Sequence, residues 1–128
     1  MIDYGFYKEI SKDFDEVIDE IAEIAKSHGF GVISKVNIHE KFKEKLGIDY
    51  KKYTILGLCN PENAYKAIEM EKNIGLLLPC NAIVYEKGNK TAVAVIKPTK
   101  SMEPTNNEKL KEIAVKIEND LKNILEKL

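Results

Sequence analysis

The sequence predicts a two-layer α+β fold: an antiparallel sheet of about five strands against helices, in the order β-α-β-β-β-β-α with two short inserted helices. Three observations point to it. Apolar residues follow strand spacing in five short segments. Two of those segments flank Gly88-Asn89, a two-residue hairpin loop with glycine first, as a type II′ turn requires. Two longer stretches, one early and one at the C-terminus, repeat apolar residues at helical spacing. The 128 residues fit a single α+β domain, residues 1–128, with no linker, repeat or low-complexity tract to divide it.

The first strand is expected over Ile2 to Ile10, with Tyr4 and Phe6 two apart. Ser11 or Asp13 can cap the helix that follows, and Asp13 with Glu16 has capping-box spacing. Phe14, Val17, Ile18, Ile21, Ile24 and Ala25 form its apolar stripe, and Gly29 ends it as the C′ residue. Phe30 to Val36 reads as the second strand. Ile38, Phe42 and Leu46 then mark a short amphipathic helix closed by Gly47. Tyr53 to Cys59 is the third strand. Asn60 caps a helix that opens with Pro61 at its first position, where a missing N–H costs nothing. Ala64, Ala67 and Ile68 form the buried side of that helix, and Asn73 and Gly75 break the chain after it.

The fourth strand starts near Cys80 and the fifth spans Thr91 to Ile96. The turn sets their register: Lys87 faces Lys90, Glu86 Thr91, Tyr85 Ala92, Val84 Val93 and Ile83 Ala94. Ala82, Val84, Val93 and Val95 then share one face with Cys80. Ile83, Tyr85, Ala92, Ala94 and Ile96 share the other. Both faces are apolar, so both are expected to be covered, the second by the inserted helices or by another subunit. After a loop over Pro98 to Pro104, Thr105 and Glu108 have capping-box spacing. The final helix carries Leu110, Ile113, Ala114, Ile117, Leu121, Ile124, Leu125 and Leu128.

Composition narrows the function. Twenty basic and 21 acidic residues leave a net charge of −1, without the basic excess of a general nucleic-acid binder. Every basic residue is lysine, which removes the guanidinium fork that bidentate guanine contacts and arginine fingers need. The charge is unevenly spread: Asp13 to Lys26 sums to −5 and Lys35 to Lys52 to +3. Both stretches read as solvated faces, although the basic one could meet an acidic ligand or the acidic helix of a partner subunit. The longest apolar run, near Leu76, Leu77 and Leu78, is far below a membrane span, and no secretory leader is visible. A cytoplasmic protein with reduced thiols is expected.

The chemistry-bearing segments are Ile55-Leu56-Gly57-Leu58-Cys59-Asn60-Pro61 and Leu77-Leu78-Pro79-Cys80-Asn81. Each places a Cys-Asn pair at a strand boundary, where sites are commonly built. Cys59 precedes a helix N-terminus, whose dipole and unpaired N–H groups favour a thiolate or an anionic ligand. Cys80 could stand beside it if the third and fourth strands meet there. Both cysteines could equally be small core residues, Asn60 a simple cap and Asn81 a turn residue. No metal site is expected, since there is no Cys-x-x-Cys and His28 and His39 have no ligand spacing to the cysteines. Gly29-Phe30-Gly31 lacks the spacing of a phosphate-binding loop.

Gly29-Phe30, the Ile55–Pro61 stretch, Ala64 and the Leu77–Asn81 stretch together resemble the family called domain of unknown function 302, from about Phe6 to Pro98. The chain departs from that family's pattern at Asn37, near which an aspartate is often found. The resemblance implies a compact α+β domain with an antiparallel sheet, often dimeric, and no established reaction. It maps Cys59, Asn60, Pro61, Pro79, Cys80 and Asn81 onto the family's motif positions.

The expected function is a small-ligand-binding module with its pocket at those six residues, holding a small anionic or thiol-reactive ligand. The alternatives are a thiol-based redox enzyme using Cys59 and Cys80, or a purely structural homodimer. Neither a cofactor nor a reaction can be read from the sequence, and partners such as nucleic acid or a membrane are not expected.

Overall fold

A computed structural model describes residues 2–128. Five antiparallel strands, β1 (Gly5–Ile10), β2 (Gly31–Asn37), β3 (Tyr53–Cys59), β4 (Cys80–Lys87) and β5 (Lys90–Ile96), form one sheet in the order β1-β5-β4-β3-β2. The α-helices are α1 (Phe14–Lys26), α2 (Ile38–Leu46), α3 (Pro61–Met70), α4 (Pro98–Ser101) and α5 (Glu108–Glu126). Short 3-10 turns cover Lys72–Leu77 and Glu103–Thr105. This is the α+β class; β3 and β4 start at the expected residues, β2 and β5 within one residue of them, and β1 three residues later than expected.

The β4–β5 hairpin pairs in the expected register, from Lys87 with Lys90 to Ile83 with Ala94, and continues to Ala82 with Val95. Gly88 takes φ 59°, and Asn89 lies outside the positive-φ region, the combination that separates a type II′ from a type I′ turn. Asp13 caps α1 by accepting the Asp15 N–H at 3.3 Å. At the other end Gly29 sits at φ 78°. Its N–H donates to the Lys26 carbonyl at 3.2 Å, and the Phe30 N–H donates to Ala25 at 2.9 Å. Those two bonds make a Schellman motif with Gly29 at C′.

The core lies on one face of the sheet. Val17, Ile18 and Ile21 of α1 and Ile117, Leu121 and Ile124 of α5 pack over Leu56, Leu58, Cys80, Ala82, Val84, Val93 and Val95. A smaller cluster of Ala67, Ile74, Met102, Leu110 and Ala114 joins α3 to α5. Lys8 ties β1 to the end of α5 by donating to the Leu128 carbonyl at 2.7 Å and the Glu126 carbonyl at 3.3 Å, a cation at a helix C-terminus. Thr99 anchors α4 to α5 through two bonds to Glu118, 3.0 Å from its N–H and 2.6 Å from its hydroxyl.

Several expectations change. The final helix is capped not by Thr105 but by Asn107, whose side chain accepts the Lys109 and Leu110 N–H groups at 3.1 and 3.2 Å. Thr105 instead turns its hydroxyl to the Met102 carbonyl. An Asn two or three residues before the stripe competes directly for the same orphan donors, which spacing alone does not resolve. Helix α2 forms with Gly47 at φ 67° closing it, yet none of its residues is buried, and Leu46 is 65% exposed. His39 is half-buried: its Nδ1 accepts the Tyr53 N–H at 2.9 Å and pins α2 to β3. The basic and acidic segments meet within one chain, where Lys52 lies 3.4 Å from Asp15 and over the Phe14 ring. The second sheet face, expected to be covered by the inserted helices or another subunit, has none of the core-forming helices on it among the described residues.

Gly57 shows how closely the sheet approaches its neighbours. A Cβ there would collide with Ser34 Oγ and stand 2.6 Å from Pro79 Cγ. At Gly75 the corresponding position is open. Gly57→Ala is therefore expected to cost about 1–3 kcal/mol in urea denaturation, and Gly75→Ala to stay within about 0.5 kcal/mol of wild type.

Candidate functional site

The site begins with strand register. Leu58 of β3 pairs with Cys80 of β4, and Cys59 pairs with Gly31 of β2. The two Cys-Asn motifs, twenty-one residues apart from Cys59 to Cys80, therefore finish at the same end of neighbouring strands. Asn60 then turns the chain into α3. Its Oδ1 accepts the Asn63 N–H at 3.1 Å and its carbonyl accepts the Ala64 N–H at 2.9 Å. Pro79 leads into β4 through a cis peptide bond from Leu78.

These residues wall a cavity of about 290 Å³. Leu58, Cys59 and Asn60 come from β3 and its end, and Ala64, Ala67 and Ile68 from one side of α3. Gly75, Leu78, Pro79 and Cys80 close it from the 3-10 turn and the start of β4, with Ile117 of α5 also in the wall. Phe30 and Ile33 complete it from β2 and the turn before it. Ile33 is the extra residue at the β2 bulge, where the register with β3 shifts between Val32 and Ser34. Bulges re-aim side chains in this way.

Among the six positions singled out from sequence, Cys59, Asn60, Pro79 and Cys80 line the cavity. Pro61 stands outside the wall as the first residue of α3. Asn81 alternates to the opposite sheet face and borders a groove with Tyr7, Tyr53 and Tyr85. The motif residues quoted above that join the wall are Phe30, Leu58, Ala64 and Leu78. Gly29 contributes indirectly: a Cβ on it would lie 3.1 Å from Asn60 Nδ2, so its bare backbone makes room for the cap's amide. Ile33, Gly75 and Ile117 were not foreseen. Ile117 reads in sequence as one more stripe residue, and a bulge leaves no spacing signal.

The electrostatics run against a reactive thiol. Burial pushes the Cys59 pKa up rather than down. Burial, with a smaller contribution from Cys59, pushes Cys80 up to about 11. The helix N-terminus that was expected to lower Cys59 has little left to offer. Pro61 has no N–H, and Asn60 already occupies those of Asn63 and Ala64. The cysteines are free, Cys59 half-buried and Cys80 buried. Among the described residues there is no cluster of three or more metal-ligating side chains, and no charged side chain lines the cavity.

Fold and site together define a small α+β protein with an apolar cavity at the end of its sheet, walled by two cysteine motifs. The chain belongs to the family described as Domain of unknown function DUF302, whose match spans residues 6–128. It is similar to a crystal structure of an uncharacterized conserved DUF302 protein from Bacillus stearothermophilus, with 32% identity, a TM-score of 0.91 and 98% of each chain covered. No curated protein matches it. Among the described residues, no helix is long and apolar enough to cross a membrane.

The thiol environments have a measurable consequence. Cys59 is expected to react with iodoacetamide with a midpoint above the free-cysteine value of about 8.5, and Cys80 only after unfolding. Because the folded state holds the Cys80 proton more tightly, its contribution to stability is complete below the unfolded thiol pKa. It is lost as pH rises from there through about 11. Urea denaturation between those limits is expected to favour Cys80→Val progressively over wild type.

Proposed function

We propose that the protein is a small-ligand-binding module whose site is the cavity between the ends of β3 and β4, α3 and the 3-10 turn. One observation supports this most directly. Two cysteine motifs distant in sequence join helix and sheet residues around a single concave, largely apolar space. Its volume of about 290 Å³ lies at the small end of ligand sites. The thiols act in it as protonated, polarizable wall groups. The redox reading has less support, since both thiols are raised and a nucleophilic cysteine needs the opposite shift. Two free cysteines suit a reducing compartment such as the cytoplasm.

Filling the space tests the proposal. Benzene, which enters dry apolar cavities, is expected to shift amide resonances of the wall residues saturably in the wild-type protein. Ala64→Leu is expected to abolish those shifts while keeping the fold. Equal shifts in both proteins, or none in wild type, would sink the binding reading.

A second observation favours association. The sheet face away from α1 and α5 carries Tyr7, Tyr53, Ile83, Tyr85 and Ile96, with Tyr4 63% exposed at its rim. Tyr53 and Tyr85 stack with centroids 5.4 Å apart. We propose that a second copy covers this face. Five strands of six to eight residues present a face on the order of 500 Å², so two copies reach roughly the 1,000 Å² that a specific interface needs. Aromatic residues with few charges are the usual composition of such a centre. Sedimentation is expected to show a dimer that Ile83→Glu converts to monomer without loss of helicity. A wild-type monomer at micromolar concentration would count against it.

A further inference from the structure

We infer that the cavity ligand is an uncharged, largely apolar molecule bearing a carbonyl or ether oxygen, held by a hydrogen bond from the Asn60 side-chain amide. This rests on the cavity being a binding site and says what chemistry it selects. Among the described residues, the wall has one strong polar side chain, Asn60; the remaining side chains in it are apolar or thiol. Asn60 is half used. Its Oδ1 is engaged by the Asn63 N–H, while among the described residues no acceptor takes Nδ2. Gly29, with no Cβ, lets that nitrogen lie uncrowded beside its backbone. An amide assigned the other way round would set two donors against each other at the α3 cap, so the cap fixes the nitrogen as the end left to donate.

The donor set decides the ligand class. Asn60 Nδ2 can give two N–H bonds, and the two thiols are weak donors that stay protonated. An anion would lose its water without meeting a cation, since no lysine lines the wall. The α3 terminus offers it only the Glu62 N–H, on a residue that is itself acidic. A cation meets no carboxylate there either. A pure hydrocarbon would cut the Asn60 amide off from water with nothing in return. An oxygen acceptor on an apolar body satisfies both requirements. The volume of 290 Å³ accommodates a body of about ten non-hydrogen atoms, scaled from the ~150 Å³ cavity that holds benzene.

The test compares 2-heptanone, heptane and heptanoate by chemical-shift titration of the isotope-labelled full chain. The ketone is expected to bind about tenfold more tightly than the hydrocarbon, and the carboxylate to bind weakest. Asn60→Asp keeps the capping oxygen but removes the donor. It is expected to erase the ketone's advantage while the melting temperature changes little. Ketone and heptane binding equally well, or heptanoate binding best, would overturn the ligand class and leave the cavity as a site. Binding of none of the three would remove the site itself. The ketone–heptane contrast is read in wild-type protein, so it decides the matter even where Asn60→Asp folds poorly.

Discussion

The pairing of Leu58 with Cys80 is the constraint on which the rest of the structure depends. It places the buried ends of β3 and β4 under α1 and α5, so that Leu58 and Cys80 enter the core side by side. One residue further on, Cys59 and Pro79 join the cavity wall. A slip of one residue would send Leu56 and Leu58 to the tyrosine face and bring Gly57 into the core. Gly57 resists such a slip from the opposite side. Ser34 and Pro79 close on its backbone so tightly that only the absence of a side chain permits the pairing. Register, core and site are therefore one specification.

How much of this could be read from sequence depends on how local each signal is. The β4–β5 register was fully legible, because a two-residue turn beginning with glycine leaves a single pairing. The end of α1 was legible for the same reason: Gly29 supplies the one backbone conformation that closes a Schellman turn. Where two residues could do one job, sequence lost. Thr105 and Asn107 both offer an oxygen to the start of α5, and only the path of the chain through Glu103–Thr105 decides that Asn107 reaches it. Helix α2 has the correct apolar spacing yet buries none of it, since an amphipathic pattern states what a face could cover and not whether a surface lies opposite.

The site was legible as a place and not as a chemistry. Two Cys-Asn pairs at strand boundaries located three wall residues, Cys59, Asn60 and Cys80, and Pro79 beside them a fourth. The thiol acidity inferred from the helix start is opposed by burial and gets little help from a capped helix. Asn60 takes the Asn63 N–H through its side chain and the Ala64 N–H through its carbonyl, and Pro61 has none, so the first turn has few open donors for a thiolate. Desolvation is then unopposed and drives both thiols upward. The same capping bond engages the oxygen of the amide and leaves its nitrogen as the free end. One local interaction thus bears on both the thiols and the polar side of the cavity wall.

The two sheet faces solve the problem of an apolar surface in different ways. On the inner face α1 and α5 exclude water, and Ala82, Val84 and Val93 are fully buried. On the outer face Ala92 is also 0% exposed, although no core helix lies over it. Its directly paired neighbour is Tyr85, stacked on Tyr53, and Tyr7 stands across β1 from Ala94. Large rings beside alanines shelter the small residues, while each phenol keeps an oxygen for water or a lysine, as Tyr7 does with Lys87 at 3.2 Å. Such a face is tolerable in a free chain and still presents flat aromatic area to a partner. The outer surface can therefore associate without the fold depending on it, whereas the inner face and the cavity at its end cannot be separated from folding.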